Sequence, residues 1–387
     1  MNAATLVGVV VLAAWAYLLL GRGFFWLTAE RDTRRLPAPP QRWPDVTAVV
    51  PARNEADVIA RSIGSLLAQD YPGALRVVLV DDASEDGTAE RALDAARALG
   101  ASDRLTVITG APLTAGWTGK LWAVSQGVAA ASRAQTAPDY LLITDADIAH
   151  DPQNLRRLTT RAEAGGLALV SLMAKLTVQT WPERLMIPAF VFFFAMLYPF
   201  AWVNDAKRRL AAAAGGCMLV RRTALEAAGG IASIRGEIID DCALGARLKA
   251  QGPVWLGLTD AAVSLRPYAT LSEIGRMISR SAYAQLRYQP ALLAGTVLGM
   301  AVVYLAAPAL ALFADGPARW LGLAAWVMMA AAFQPMLRFY RLSPLWGAAL
   351  PLIGALYVAF TVDSAVQVWR GRGGMWKGRA QAMAASR

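Results

Sequence analysis

Four long apolar segments, one at the start of the chain and three near its end, most strongly constrain the fold. They are the uncharged run Thr5–Leu20 and residues 291–313, 319–337 and 345–362. Each is close to the roughly 20 residues that a helix needs to cross a bilayer. We therefore predict an N-terminal transmembrane anchor over residues 1–21 and C-terminal transmembrane segments over residues 291–363.

The charges that follow the first apolar segment predict its orientation. A cleaved signal peptide carries positive charge before its apolar run, whereas here Arg22, Arg31, Arg34 and Arg35 come after it. Because cytoplasmic flanks are rich in Lys and Arg, we expect the region after the anchor to be cytoplasmic. Four crossings would then place the basic tail on the same side as the N-terminus, against this tendency, so either one C-terminal segment does not cross or the tail is an exception.

The net charge of +10 is carried by the ends of the chain rather than by its middle. A proline-rich linker, 22–44, holds five basic and two acidic side chains, and the tail 364–387 holds five basic and no acidic ones. Residues 43–290 are nearly neutral, with 25 basic and 24 acidic side chains. This distribution argues against a nucleic-acid partner and for a membrane protein.

Between the apolar ends, residues 45–290 alternate short β-type runs with amphipathic helical stretches. The β-type runs are VTAVVP (46–51), LRVVLVDD (75–82), LTVITG (105–110) and YLLITDAD (140–147). Their nearly continuous apolar character predicts one large α/β domain with a mainly parallel central sheet covered on both faces. The apolar segment 185–203 lies inside this region, and we predict a helix in the membrane interface, with a buried core helix as the alternative.

Carboxylates follow several of the predicted strands, in PARNEA (51–56), VDDASEDGT (80–88) and TDAD (144–147). Ligands bind at this edge of a parallel sheet, and the dinucleotide fingerprint GxGxxG is absent after the first strand. Asp145 and Asp147, two residues apart, can converge on Mg²⁺ or Mn²⁺ together with a diphosphate, although a lone DxD is also typical of a solvated turn. With one His and two Cys in the chain, any metal here must be held by carboxylates.

A second acidic pair, Asp240 and Asp241, opens a helical pattern in GEIIDDCALGARL (236–248). One Asp at this position is typical of a helix N-terminus, which the positive end of the helix dipole favours. Two carboxylates exceed that need, and one of them near a donor could take the proton of an acceptor hydroxyl as a general base. The pair therefore fits either a helix N-terminus or a general base.

Together these motifs resemble a family 2 glycosyltransferase of the GT-A fold, an inverting class that uses nucleotide sugars, over about residues 46–290. The resemblance implies a nucleoside pocket lined by Pro51, Arg53, Asn54, Glu55 and Asp82, with Asp81 beside it. It also implies a DxD pair that binds ribose, diphosphate and a divalent metal (Asp145, Asp147), a donor-binding lysine (Lys120) and a catalytic base (Asp241). Asp240 stands where the family usually has Glu.

Many membrane relatives carry Gln-x-x-Arg-Trp after the base, and the matching stretch here is Arg276-Met-Ile-Ser-Arg280-Ser281. Both arginines fit a clamp on the donor diphosphate, with a cationic helix face at the membrane surface as the alternative. The Trp is associated with holding a growing polymer, so its loss speaks against a polysaccharide synthase. The alternatives within enzymes are a polyprenyl-phosphate glycosyltransferase and a processive synthase.

Longer stretches, among them GWTGKLWAVSQG (116–127), TDADIAHDP (144–152) and AAAAGGCMLVRR (211–222), resemble the bacterial glycosyltransferases associated with hopanoid biosynthesis. This resemblance implies a multi-pass enzyme of the bacterial inner membrane that moves a sugar from a nucleotide-sugar donor to a lipid acceptor, with its catalytic domain in the cytoplasm. A non-catalytic membrane scaffold that binds nucleotide sugars is the alternative from another class, although both the DxD and the base are present.

Overall fold

The computed structural model describes residues 2–134 and 136–373, and the backbone of 375–376 and 379–380. Lys377 and Arg387 of the predicted basic tail lie outside the described residues. The chain divides into two compact units. An α/β unit comprises Glu30–Thr177 and Trp202–Pro267, and a helical unit comprises residues 2–29, 178–201 and 268–373.

The strands are β1 (Val46–Ala52), β2 (Leu75–Asp81), β3 (Leu105–Thr109), β4 (Tyr140–Thr144), β5 (Ile148–His150), β6 (Leu169–Lys175), β7 (Cys217–Arg221), β8 (Val254–Ser264), β9 (Met375–Trp376) and β10 (Arg379–Ala380). The helices are α1 (Ala3–Leu20), α2 (Ile59–Leu67), α3 (Thr88–Ala98), α4 (Gly119–Ser132), α5 (Asn154–Gly165), α6 (Trp181–Leu197), α7 (Phe200–Asn204), α8 (Arg222–Ala227), α9 (Asp240–Lys249), α10 (Leu271–Ser279), α11 (Ala282–Gln285), α12 (Pro290–Met300), α13 (Ala306–Phe313), α14 (Pro317–Phe339) and α15 (Leu350–Trp369).

An eight-stranded sheet in the order β3-β2-β1-β4-β7-β6-β8-β5 forms the centre of the α/β unit. Within it β7 and β5 run against the other strands, which are parallel to one another. Every residue of β1 and of β4 is buried, as expected for strands covered by helices on both faces. The prediction of an α/β fold with a mainly parallel sheet is confirmed.

Strand direction brings the ends of distant segments to one edge of the sheet. The parallel strands β1, β2 and β4 all end there, so Arg53 and Asp145, which follow β1 and β4, lie at the same edge as Asp81, the last residue of β2. Because β7 is antiparallel and Cys217 pairs with Thr144, the glycines that precede β7 reach the same edge. The end of β8 arrives there too, since the Leu265 N–H donates to the Asp147 carbonyl at 2.7 Å.

The predicted linker contributes residues to this unit. Arg31 forms a parallel bridge with Leu258 of β8, and the Asp32 N–H donates to the Leu258 carbonyl at 3.1 Å. The Thr259 hydroxyl donates to the buried Asp32 carboxylate at 2.9 Å. This segment therefore adds a short extended piece beside β8.

The helical unit holds four helices, or continuous helical stretches, that are long and apolar enough to span a membrane: Ala3–Leu20, Pro290–Phe313, Pro317–Phe339 and Pro344–Trp369. The second joins α12 and α13 through a π-helical turn, and the last includes a 3₁₀ turn before α15. These segments coincide with the four predicted from the sequence, whereas the membrane and the side on which each end lies stay predictions.

Helix α6 belongs to the helical unit, although the sequence places it inside the region 45–290. A capping box begins the helix, in which Thr180 accepts from the Glu183 N–H and the buried Glu183 carboxylate accepts from the Thr180 N–H. That carboxylate also accepts from the Tyr268 N–H at 2.8 Å. Most α6 side chains are buried by protein, and the position of α6 at a membrane interface stays a prediction.

Candidate active site

Lys120, in the first turn of α4, lies among the acidic side chains at the edge of the sheet where β1, β2 and β4 end, called here the carboxylate edge. Thr118 caps α4 by accepting from the Leu121 N–H, which places Lys120 just inside the helix N-terminus. Its ammonium lies 2.9 Å from Asp145 Oδ1 and 3.2 Å from Asp240 Oδ2, so it joins the DxD loop to the start of α9. Burial alone would lower the pKa of Lys120, but the carboxylates of Asp145 and Asp240 outweigh it and raise that pKa. Lys120 is therefore a fixed positive charge.

The Asp241 carboxylate is held from both sides by backbone N–H groups. Its Oδ2 accepts from the Gly215 N–H at 3.0 Å, and its Oδ1 accepts from the Cys242 N–H at 2.7 Å. Burial, reinforced by the neighbouring Asp240, raises the pKa of Asp241 to about 6, although Lys120 and the two N–H groups oppose the rise. A carboxyl with this pKa is poised to accept a proton near neutral pH.

Gly215 brings the backbone close to both charged groups of this cluster. A Cβ built on Gly215 would lie 3.4 Å from Lys120 Nζ and 3.5 Å from Asp241 Oδ2, so any side chain there would cover the carboxylate. The next glycine, Gly216, accepts from the Thr144 hydroxyl through its carbonyl at 2.7 Å. The glycine pair thus leaves Asp241 accessible while it anchors this segment to β4.

Arg53 and Asn54 follow β1 and contact the loop that follows β2. The Arg53 guanidinium donates to the Asp82 carbonyl at 2.5 Å and lies 3.9 Å from the Asp82 carboxylate. Asn54 has a positive φ of 51°, and its side-chain carbonyl accepts from the Glu85 N–H at 3.0 Å. Asp81 accepts from the Ser84 N–H at 3.0 Å. These contacts bring together four residues predicted to surround the nucleoside.

Arg266, two residues after β8, joins two further predicted site residues. Its Nε lies 3.1 Å from Asp147 Oδ2, and its Nη2 forms a hydrogen-bonded ion pair with Glu55 Oε2. The same guanidinium therefore bridges the segment after β1 and the second Asp of the DxD. Arg266 is not among the site residues predicted from the sequence.

The single histidine of the sequence lies beneath the DxD loop. The Thr144 hydroxyl, which donates to the Gly216 carbonyl, lies 3.0 Å from His150 Nε2, and Asn154 Nδ2 lies 2.9 Å from Nδ1. A neutral imidazole with its proton on Nε2 satisfies all of these contacts. Burial lowers the pKa of His150 to about 4, in agreement with a neutral ring.

Among the described residues, no group of three or more His, Cys, Asp or Glu side chains could hold a metal ion on its own. Asp145 and Asp147 nevertheless fit a divalent cation that also binds the phosphates of a ligand, because Mg²⁺ sites use one or two carboxylates in this way. Each of the two carboxylates places one oxygen on a protein cation, Lys120 or Arg266. The other oxygen of each suits a hard metal ion.

Three predicted site residues lie apart from these side-chain contacts. Pro51 is buried inside β1, in register with Val80 of β2. Arg276 is an exposed residue of α10 that donates to the Ser272 hydroxyl at 2.9 Å, and Arg280 is the exposed residue that ends this helix. Both arginines belong to the helical unit, and their roles stay predictions.

Comparison with known proteins shows a similarity of this region to one family. Residues 47–229 match the model of glycosyl transferase family 2. An N-acetylglucosaminyltransferase from Rhizobium leguminosarum bv. viciae is 30% identical over 145 residues, which are 37% of this chain and 31% of that protein. The chain thus matches about a third of the length of this curated relative.

A solved structure resembles most of the chain. It is the mannosyltransferase PcManGT from Pyrobaculum calidifontis in complex with GDP-Man and Mn²⁺, with a TM-score of 0.58 and 20% identity, over 95% of this chain and 99% of that one. At this identity the likeness establishes the fold. The chain therefore has a GT-A fold, and residues 47–229 are similar to family 2 glycosyltransferases.

Proposed function

We propose that this protein is a membrane-anchored inverting glycosyltransferase that moves a single sugar from a nucleotide-sugar donor to the hydroxyl of a lipid acceptor. The observation that carries the proposal is the Asp241 carboxylate, held by two backbone N–H groups beside Lys120, with a pKa of about 6. The family 2 domain and the carboxylate edge of the sheet support it.

The reaction needs one proton transfer and one displacement. The acceptor hydroxyl attacks the anomeric carbon from the face opposite the nucleotide, and Asp241 takes the hydroxyl proton as the new glycosidic bond forms. The bond between the anomeric carbon and the donor diphosphate breaks, and the nucleoside diphosphate leaves with the electron pair. Inversion at the anomeric carbon follows from this single displacement.

The other site residues orient the donor and its developing charge. Arg53, Asn54 and Asp82 would border the nucleoside, with Pro51 and Asp81 beside them. Asp145 and Asp147 would hold a divalent cation, which supplies positive charge to the diphosphate when bound. Lys120 would keep Asp145 and Asp240 in place, and Arg276 and Arg280 would clamp the departing diphosphate.

The acceptor and the cellular setting are further parts of the proposal. Four helices able to span a membrane favour an acceptor that is itself a membrane lipid. The resemblance to hopanoid-associated enzymes favours a hopanoid-related lipid, with the protein in the bacterial inner membrane and its α/β unit in the cytoplasm. Absence of the Trp after Arg280 favours transfer of one sugar over polymerisation.

The experiment incubates membranes that contain the protein with a panel of nucleotide sugars and analyses the extracted lipids by mass spectrometry. We expect one lipid class, hopanoid-related, to gain one sugar, and Asp241→Asn to lower transfer by about 10²-fold to 10⁴-fold because it removes the general base. The matched control is Asp94→Asn, since Asp94 is an exposed carboxylate paired with Arg97 on the surface of α3. A sugar on polyprenyl phosphate would identify another acceptor, and undiminished transfer by Asp241→Asn would contradict the assignment of the base.

A further inference from the structure

Arg266 holds two carboxylates, Glu55 and Asp147, that border the proposed site of the donor diphosphate. The Glu55 side chain is 11% exposed and Asp147 is 21% exposed, so both have lost much of their hydration. A positive charge at hydrogen-bond distance offsets part of that loss. In the ligand-free protein Arg266 is therefore the counter-charge of this pair.

Lys120 is the counter-charge of Asp145, the first Asp of the DxD. It lies 2.9 Å from Asp145, while Arg266 lies 3.1 Å from Asp147, so each DxD carboxylate already contacts one protein cation. A divalent cation that approaches Asp147 meets the guanidinium on the same carboxylate, and like charges at this distance repel. A metal ion on the other oxygen of Asp147 would therefore weaken the pairing of Arg266 with this carboxylate.

The two protein cations differ in what they can do once displaced. Each has a second carboxylate partner, Asp240 at 3.2 Å for Lys120 and Glu55 for Arg266, so the difference lies in exposure and shape. Arg266 is the more exposed of the two, at 37% against 19% for Lys120, and its side chain has room to turn. Its planar fork also matches two phosphate oxygens, a contact that the Lys ammonium makes only as a point charge.

From this geometry we propose that Arg266 is a further donor-binding residue. It pairs with Asp147 and Glu55 while the site is free of donor, and it turns from Asp147 to the donor diphosphate when a divalent cation binds the same carboxylate. The inference rests on the proposed function, since it requires a nucleoside diphosphate group in the site. Removal of the Arg266 charge should therefore raise the affinity for the metal alone and lower the affinity for a nucleotide in the presence of the metal.

The first measurement titrates Mn²⁺ into the full-length protein in detergent, without nucleotide, and follows free Mn²⁺ by electron paramagnetic resonance. Arg266→Gln should bind Mn²⁺ about 3-fold to 5-fold more tightly than the wild type, the size expected when a partly exposed ion pair no longer competes. The matched control is Arg221→Gln, because Arg221 pairs with Glu163 at 3.1 Å at the opposite edge of the sheet. Unchanged or weaker Mn²⁺ binding by Arg266→Gln would overturn the proposal.

The second measurement titrates UDP and GDP into the same proteins at saturating Mn²⁺. Arg266→Gln should bind the preferred nucleotide about 10-fold to 100-fold more weakly, because it loses charged hydrogen bonds to the diphosphate, and Arg266→Lys should fall between the two. If the wild type binds a nucleotide and Arg266→Gln binds it equally well, the proposal is wrong and the proposed function stands. If the wild type binds neither nucleotide, the proposed function fails and this role of Arg266 fails with it.

Discussion

The α/β unit and the helical unit differ in where their charged side chains lie. At the carboxyl edge of the sheet, Lys120 and Arg266 hold carboxylates from three separate segments of the chain. Such partly buried ion pairs contribute little net stability, because desolvation of the charges offsets their attraction. Their concentration at a single edge is therefore better explained by ligand chemistry than by folding.

The helical unit keeps most charges out of its apolar helices and bonds polar groups to backbone carbonyls. The Trp15 indole N–H donates to the Val303 carbonyl at 2.8 Å, and the Ser279 hydroxyl donates to the Phe360 carbonyl at 3.0 Å. Glycines allow close contact between helices, as small residues do in membrane bundles. The α/β unit thus holds the charged groups of the proposed site, whereas the helical unit is stabilised by close packing. Substitutions in the first should mainly lower activity, and substitutions in the second should mainly lower stability.

Apart from loss of the base, the largest effect should come from removal of the Lys120 charge in the α/β unit. Lys120→Met leaves Asp145 and Asp240 without their shared cation and removes positive charge from the site. We expect sugar transfer to fall by about 10²-fold to 10³-fold, as when a positioned electrostatic group is lost. Lys207→Met, a change at an exposed lysine of the same unit, is the control. Similar transfer rates in both variants would contradict the proposal that the Lys120 charge matters more for activity than the surface charge of Lys207.

A pH effect should be confined to the α/β unit, which holds the chain's single histidine. The pKa of His150 falls from its ordinary value of 6.5 to about 4 in the fold, so the unfolded chain binds the extra proton between these values. The contribution of His150 is complete above pH 6.5 and is lost as the pH falls towards 4, a change of about 3 kcal/mol in unfolding free energy.

Hydrogen exchange of β4 peptides, corrected for its intrinsic pH dependence, measures this change in the wild type and in His150→Gln. The raised pKa values of Asp145 and Asp241 act in the opposite direction, and they cancel in the difference between the two proteins. Peptides from α14 should show no such difference. Equal acid sensitivity of β4 in both proteins would assign the effect to other groups.

The smallest expected effect belongs to packing in the helical unit. A Cβ on Gly322 of α14 would lie 2.7 Å from the Ala307 carbonyl oxygen and 2.8 Å from the Ala311 nitrogen. Gly322→Ala should therefore destabilise this unit by about 2 kcal/mol while turnover per folded molecule stays unchanged. Gly295→Ala is the matched control, since a Cβ on Gly295 would have no neighbouring atom within 4 Å. Thermal unfolding in detergent compares the two, and equal midpoints would contradict the role of close helix contact.

Features encoded by local patterns could be predicted from the sequence. The β-type runs at 46–51 and 140–147 contain β1 and β4, and the carboxylates that follow these strands lie at the predicted edge. The four apolar segments are helices of sufficient length to span a membrane. In each case the signal lies within a short stretch of consecutive residues.

Features that depend on strand order could not be predicted. Arg266 reaches Asp147, 119 residues earlier, because β8 lies beside β5 in the sheet, and no local pattern encodes that neighbourhood. The reversed direction of β7, which brings Gly215 to Asp241, likewise depends on pairing with β4. An isolated basic residue two positions after a strand was the available signal for Arg266, and such residues are too common for this signal to select one.

The pH dependence of sugar transfer tests most directly whether Asp241 is the base of the reaction. In the wild type we predict that kcat/KM rises with an apparent pKa of about 6 and levels off above it, because only the ionised carboxylate accepts a proton. In Asp241→Asn the residual transfer should lack this rise. A wild-type profile that stays flat between about pH 5 and pH 8, or the same rise in Asp241→Asn, would contradict the account.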